Sequence, residues 1–201
     1  MLKASKTFVV ILALVTSAIG LGAASASASP LPERVLGKAD APVTIIEYAS
    51  LTCDHCKRFH AQILPRVKQT YIDTGKAKLI YRHFPLDRVA LMASALTECV
   101  PRDQFFGLLD VLFRSEDQWA HSKDPKTELA KIGLLAGIKR SAFDACLADD
   151  KLSTAIVAER QAGEVEHKVN STPTLVIGDT VLRGVRDFAE IEQAIEKAAR
   201  R

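Results

Sequence analysis

Cys53 and Cys56 flank Asp54 and His55 at the point where an apolar run, Val43 to Ala49, gives way to a helical pattern beginning near Asp54. Two cysteines at this spacing, on the first turn of a helix that follows a strand, are placed for thiol–disulfide exchange. Backbone N–H groups of a first helical turn lack intrahelical partners and carry the positive end of the helix dipole, so they favour a thiolate at Cys53. A stabilised thiolate is also a good leaving group when its disulfide is attacked. Cys56, one turn further in, is expected to be better buried and to be the higher-pKa partner that closes the ring.

The neighbours act in opposite senses. An anionic Asp54 near Cys53 disfavours its thiolate, although a carboxylate suits a helix start. His55, as an imidazolium or an N–H donor, stabilises the thiolate; alternatively it is a solvated helix residue. The other two of the four cysteines, Cys99 and Cys146, lie far apart in the chain and have no close cysteine partner. They suit a second, structural disulfide closing a loop of about 48 residues, with a stabilisation of about 4 kcal/mol in the chain-entropy model. The alternative is two buried thiols acting as small hydrophobes.

The elements that must hold these residues are legible in the periodicity. Val43 to Tyr48 is β-branched and apolar on both faces, as a buried central strand is. Phe59, Ile63, Val67 and Tyr71 make a helical stripe from Asp54 to Thr74, ended by Gly75, with a kink expected at Pro65. Lys78 to Phe84 reads as a second strand, which gives a βαβ unit with parallel strands. Before it, Pro30 to Ala41 reads as a short polar lead.

From Asp87 to Val169 the pattern is helical almost throughout, with candidates at 89–100, 103–113, 125–136, 141–147 and 152–168. Gly107 and Gly163 are unfavourable inside such helices. Strand character returns at Thr174 to Ile177 and Val181 to Arg183, around a Gly178-Asp179 turn, and an amphipathic helix over 188–198 closes the chain. His60, His83, His121 and His167 have no motif around them and are expected at the surface or in loops; Trp119 and Phe105-Phe106 are expected in the core.

Residues 1–28 read as a secretory signal peptide: Lys3 and Lys6, an uncharged apolar run from Phe8 to Gly22, then small-residue cleavage sites ending at Ala26 and Ala28. An uncleaved anchor is the rival reading, but the run is shorter than the roughly 20 residues a spanning helix needs. Residues 29–201 then form one domain. The leader holds two of the 27 Lys and Arg and none of the 24 Asp and Glu, so the remainder is close to neutral, with no basic cluster suited to nucleic acid.

The run Glu47-Tyr48-Ala49-Ser50-Leu51-Thr52-Cys53-Asp54-His55-Cys56, together with Ser171-Thr172-Pro173-Thr174, resembles the DsbA family of exported thiol–disulfide oxidoreductases over nearly the whole of residues 29–201. The resemblance implies an α/β thioredoxin fold, βαβ then ββα, with a helical insertion at about 87–169. It implies that Pro173 is cis and lies beside the Cys53-Cys56 pair, so that the Thr172 main chain can pair with an extended substrate. It also matches Glu47 to a buried acid below the active site, which could take the Cys56 proton through a water. The alternative is that Glu47 merely pairs with Lys78 or Arg82 on the next strand.

The activity implied is oxidation of unfolded or reduced secreted polypeptides in the periplasm. An exposed Cys53 sulfur is attacked, and a second substrate thiolate then displaces Cys53. No cofactor or metal is expected beyond the Cys53–Cys56 disulfide. The implied partner is a DsbB-like quinone-linked membrane protein that reoxidises a monomeric enzyme. Isomerase or reductase activity on the same fold is the alternative, since threonine before the proline also occurs in isomerase relatives. A zinc ribbon would need a second close cysteine pair, and covalent haem a histidine at position 57, which is Lys57.

Overall fold

The computed structural model describes residues 31–184 and 187–201, with Met1. The leader and its cleavage sites lie outside the described residues. Strands β1 (Arg34–Leu36), β2 (Val43–Ala49), β3 (Ala77–His83), β4 (Thr174–Ile177) and β5 (Thr180–Arg183) form one sheet in the order β1-β3-β2-β4-β5. β2 and β3 are parallel, and every other pairing is antiparallel. The βαβ unit and the closing hairpin stand where the hydrophobic pattern places them. β1 corrects the expectation of a polar lead: three residues of it pair with β3, Arg34 opposite Tyr81.

Between β2 and β3 the chain is helical in four successive pieces: α1 (Asp54–Arg58), a π turn (Phe59–Ile63), α2 (Leu64–Val67) and a second π turn (Lys68–Ile72). Pro65, at the start of α2, has no N–H to give to a preceding turn. Where a kink is expected at Pro65, α2 is flanked by two π turns, and Leu64 N–H reaches back five residues to Phe59 O. Gly75 leaves the helix with φ +75°, a conformation that suits glycine.

The insertion contains α3 (Arg88–Glu98), α4 (Phe105–Arg114), α5 (Glu116–Trp119), α6 (Pro125–Leu135), α7 (Arg140–Leu147) and α8 (Asp150–Glu166); α9 (Phe188–Ala199) ends the fold. The short α5 has no counterpart among the helices read from the sequence. Among the described residues no helix is long and apolar enough to cross a membrane.

Alternation along β2 divides the core. Val43 and Ile45 pack with Phe59, Leu79, Ile177 and Ile191 beneath the sheet, while Tyr48 packs with Phe84 and Val176 on the other face. At the end of β2, Ala49, Leu51, Cys53 and Cys56 belong instead to the core of the insertion, with Phe105, Leu109, Phe113 and Trp119. The two cysteines therefore sit at the seam between sheet and insertion.

Candidate active site

The end of β2 turns into α1 through Ser50 to Thr52, with Cys53 N–H donating to Ser50 O at 3.2 Å. Thr52 Oγ1 donates to Asp87 at 2.6 Å, and Asp87 in turn caps α3 by accepting from Ala90 N–H at 2.7 Å. This ties the entry to α1 to the first helix of the insertion. Cys53 is the N-cap of α1, and its sulfur accepts from Cys56 N–H at 3.4 Å. The Cys53 S–H donates to the carbonyl oxygen of Thr172, also at 3.4 Å, and the Thr172–Pro173 bond is cis. Both cysteines are thiols.

Cys53 is less open than expected. It is 8% exposed, because Thr172 lies against it, and Cys56 is wholly buried. The Thr172 main chain therefore lies directly against the Cys53 sulfur.

The Cys53 thiol is pulled down to about 5, first by a hydrogen bond from the Cys56 thiol and against the opposing effect of burial. The Thr172 side chain and the N–H groups of Cys56 and His55 add to it. The two N–H groups are the helix-start donors argued from the sequence, and His55 contributes to the site through its main chain. Its ring is exposed, with Nδ1 beside the Arg58 guanidinium. Asp54 is also exposed at the start of the helix. Cys56 is pushed well up, by burial above all, then by its bond to Cys53 and by the negative charges of Cys53 and Glu47. The two thiols therefore divide their roles: one holds a negative charge readily and the other resists it.

Glu47 points into the same buried region from β2, wholly unexposed, between Tyr81 on β3 and Leu175 on β4. It pairs with neither Lys78 nor Arg82: Lys78 Nζ donates to Ala39 O, and Arg82 pairs with Glu33 and Glu159. Its partner is His60, with Nε2 at 2.8 Å from Oε1. This corrects the expectation of a surface or loop position: His60 is 8% exposed, in the π turn after α1. One signal was available, since His60 is four residues after Cys56 and so on the same side of a helix.

His83 is likewise buried, at 2.9 Å from Glu98, whereas His121 is exposed and His167 half-buried. Lys57, directly after Cys56, reaches the buried Glu116 at 3.2 Å and Asp117 beside it, which clasps α1 to α5. Cys99, at the end of α3, and Cys146, in α7, are joined across a Cα separation of 6.3 Å. Trp119 and Phe105 are fully buried in the core. Among the described residues no group of His, Cys, Asp and Glu is arranged to hold a metal ion.

A thioredoxin family model matches residues 30–197. A putative protein-disulfide oxidoreductase of Rickettsia bellii is 32% identical over 167 residues, covering 83% of this chain and 64% of its own length. The chain thus spans just under two thirds of that relative. Disulfide bond formation protein D of Bacillus subtilis is 29% identical over 190 residues, covering 89% of this chain and 82% of its own. Among solved structures, alpha-DsbA1 of Wolbachia pipientis superposes with a TM-score of 0.77 at 33% identity, covering 84% of this chain and 93% of that one.

Proposed function

The chain belongs to the DsbA family, on the thioredoxin fold, and from that premise we propose that it is an exported oxidase of protein thiols working through Cys53 and Cys56. The observation that carries this reading is the placement of the Cys53 sulfur. It caps α1, lies against Thr172 and is held near pKa 5, while Cys56 beneath it is held far higher.

In the disulfide form, a substrate thiolate attacks Cys53 Sγ, the Cys53–Cys56 bond breaks, and Cys56 leaves. A second substrate thiolate then attacks the substrate sulfur of the mixed disulfide, and Cys53 leaves as the stabilised anion. The substrates are reduced or unfolded polypeptides, aligned by main-chain pairing at Thr172 beside Pro173. Glu47 is the acid that exchanges a proton with Cys56. A quinone-linked membrane partner restores the disulfide. Cys99–Cys146 is a structural staple, and Cys99→Ala with Cys146→Ala should cost about 4 kcal/mol in urea unfolding.

The test is oxidation of a dithiol peptide by the purified disulfide form. Cys53→Ser should abolish it and Cys56→Ser should accumulate mixed disulfides; oxidation by the first variant would end this mechanism. Oxidase and isomerase readings separate on the equilibrium potential against glutathione, where an oxidase lies well above the glutathione couple.

A further inference from the structure

Opening the Cys53–Cys56 disulfide creates a proton problem that the two cysteines cannot solve themselves. The electron pair of the broken S–S bond goes to Cys56 Sγ, which is wholly buried in surroundings that oppose a thiolate. The same region contains a carboxylate and an imidazole in contact. Glu47 Oε1 lies 2.8 Å from His60 Nε2, while Glu47 Oε2 is buried with no hydrogen-bond partner among the described residues. A buried carboxylate and imidazole in hydrogen-bond contact can pass a proton along that bond.

His60 is itself held firmly. Its ring stacks on Phe113 of α4 with centroids 4.1 Å apart, and it meets Phe59 and Tyr81 edge-on at 5.7 and 6.4 Å. Among the described residues, Tyr81 from β3 meets the His60 ring, and Cys56 from α1 feels the charge of Glu47. The Tyr81 hydroxyl donates to Ala49 O, and burial, then the charge of Glu47, push it well above the usual phenol range. Tyr81 therefore stays protonated and is no rival acid.

We propose that His60 is the positioning residue of a buried Glu47–His60 proton pair that protonates Cys56 as the Cys53–Cys56 disulfide opens. The inference rests on the reading of Cys53 and Cys56 as the exchange centre and deepens it. The substrate thiolate bonds to Cys53 Sγ, the Cys53–Cys56 bond breaks, and Cys56 Sγ takes the pair's proton. The negative charge that entered with the substrate ends on Glu47, where the His60 N–H remains to bond it; the pair then regains a proton from solvent. Reoxidation runs the same transfer backwards. His60 fixes Oε1 and leaves Oε2 without a hydrogen-bond partner among the described residues, and the negative charge of Glu47 helps to hold the Cys56 thiol up.

The test is single-turnover oxidation of a dithiol peptide by the disulfide forms of the wild type, Glu47→Gln, His60→Gln and the double variant, across pH. Each single variant should react at least about tenfold more slowly at pH 7, the low end of general acid–base effects. The double variant should be no slower than the slower single, since the two residues act as a unit. The Cys53 thiolate, read by its ultraviolet absorbance in the reduced forms, should still titrate near 5.

Wild-type rate and pH profile in His60→Gln overturn the proposal, as do independent, multiplying losses in the double variant. Should His60→Gln not fold, the wild type decides: the reaction should slow in heavy water, and an unchanged rate overturns proton donation by the pair. A wild type that does not oxidise the peptide at all instead overturns the exchange reading beneath it.

Discussion

Thr172 meets Cys53 with two groups of opposite character: its carbonyl oxygen accepts the Cys53 S–H at 3.4 Å, and its buried hydroxyl, with no other partner among the described residues, favours the thiolate. The carbonyl suits the protonated sulfur and the hydroxyl suits the anion.

Thr172→Val keeps the carbonyl and the shape but removes the hydroxyl. A hydrogen bond to a charged group contributes about 1.5–3 kcal/mol, so the Cys53 thiol should rise by about one unit or more. The absorbance of the thiolate against pH measures it directly. A titration unchanged from about 5 would leave the helix-start N–H groups and the Cys56 thiol as the whole cause.

The same thiolate sets the pH dependence of the potential. Cys53 falls from an ordinary 9.0 to about 5, so the reduced form is stabilised at pH 7 by about two units, about 2.7 kcal/mol or 60 mV. The folded value is depressed, so the stabilisation is complete above the ordinary pKa and is lost as pH falls through 5. Between pH 6 and 8 only Cys56 takes up a proton on reduction, giving a slope of about −30 mV per unit. Below pH 5 both thiols do, and the slope should steepen to about −60 mV. Glutathione equilibration from pH 4 to 8 would show the break, and a single steep slope throughout would contradict an acidic Cys53.

Much of this site was legible in the chain because its elements are long and strongly periodic. β2, β3 and the helix between them follow from apolar spacing alone, and they place Cys53 at a helix start whatever the rest does. β1 was not legible, since three residues among proline and glycine carry no period; tertiary pairing of Arg34 holds them. His60 escaped because its burial in a π turn depends on Phe113 arriving from α4, a contact no local pattern encodes. The partial closure of Cys53 likewise comes from Thr172, more than a hundred residues away.

Gly163, unfavourable as a helix residue, has a packing reason. A Cβ there would lie 2.5 Å from Cε1 of Tyr48, whose ring is buried against Phe84 and His167. Gly163→Ala gains about 1 kcal/mol of helix propensity, but forcing a buried ring aside costs about 1–3 kcal/mol. The steric cost should win by about 1 kcal/mol, lowering Tm by a few degrees. A raised Tm would mean that α8 can shift away from β2 freely.

Glu98 ties the edge strand to the insertion. It pairs with Arg34 of β1 and lies 2.9 Å from His83 of β3, and the Arg34 guanidinium sits 4.8 Å over the Phe105 ring. Burial pushes the Glu98 carboxyl up, but its bonds to His83 and Arg34 outweigh that and hold it below the usual carboxylate range. Glu98→Gln leaves Arg34 buried with a neutral partner, and breaking such a pair costs about 3–5 kcal/mol. A carboxyl depressed on folding contributes stability that is present above its unfolded pKa and lost as pH falls through its folded value. The gap between wild type and variant in urea unfolding should therefore be full at pH 7 and shrink towards pH 3. A gap that persists undiminished at pH 3 would place the loss in packing around β1 and not in the charge of Glu98.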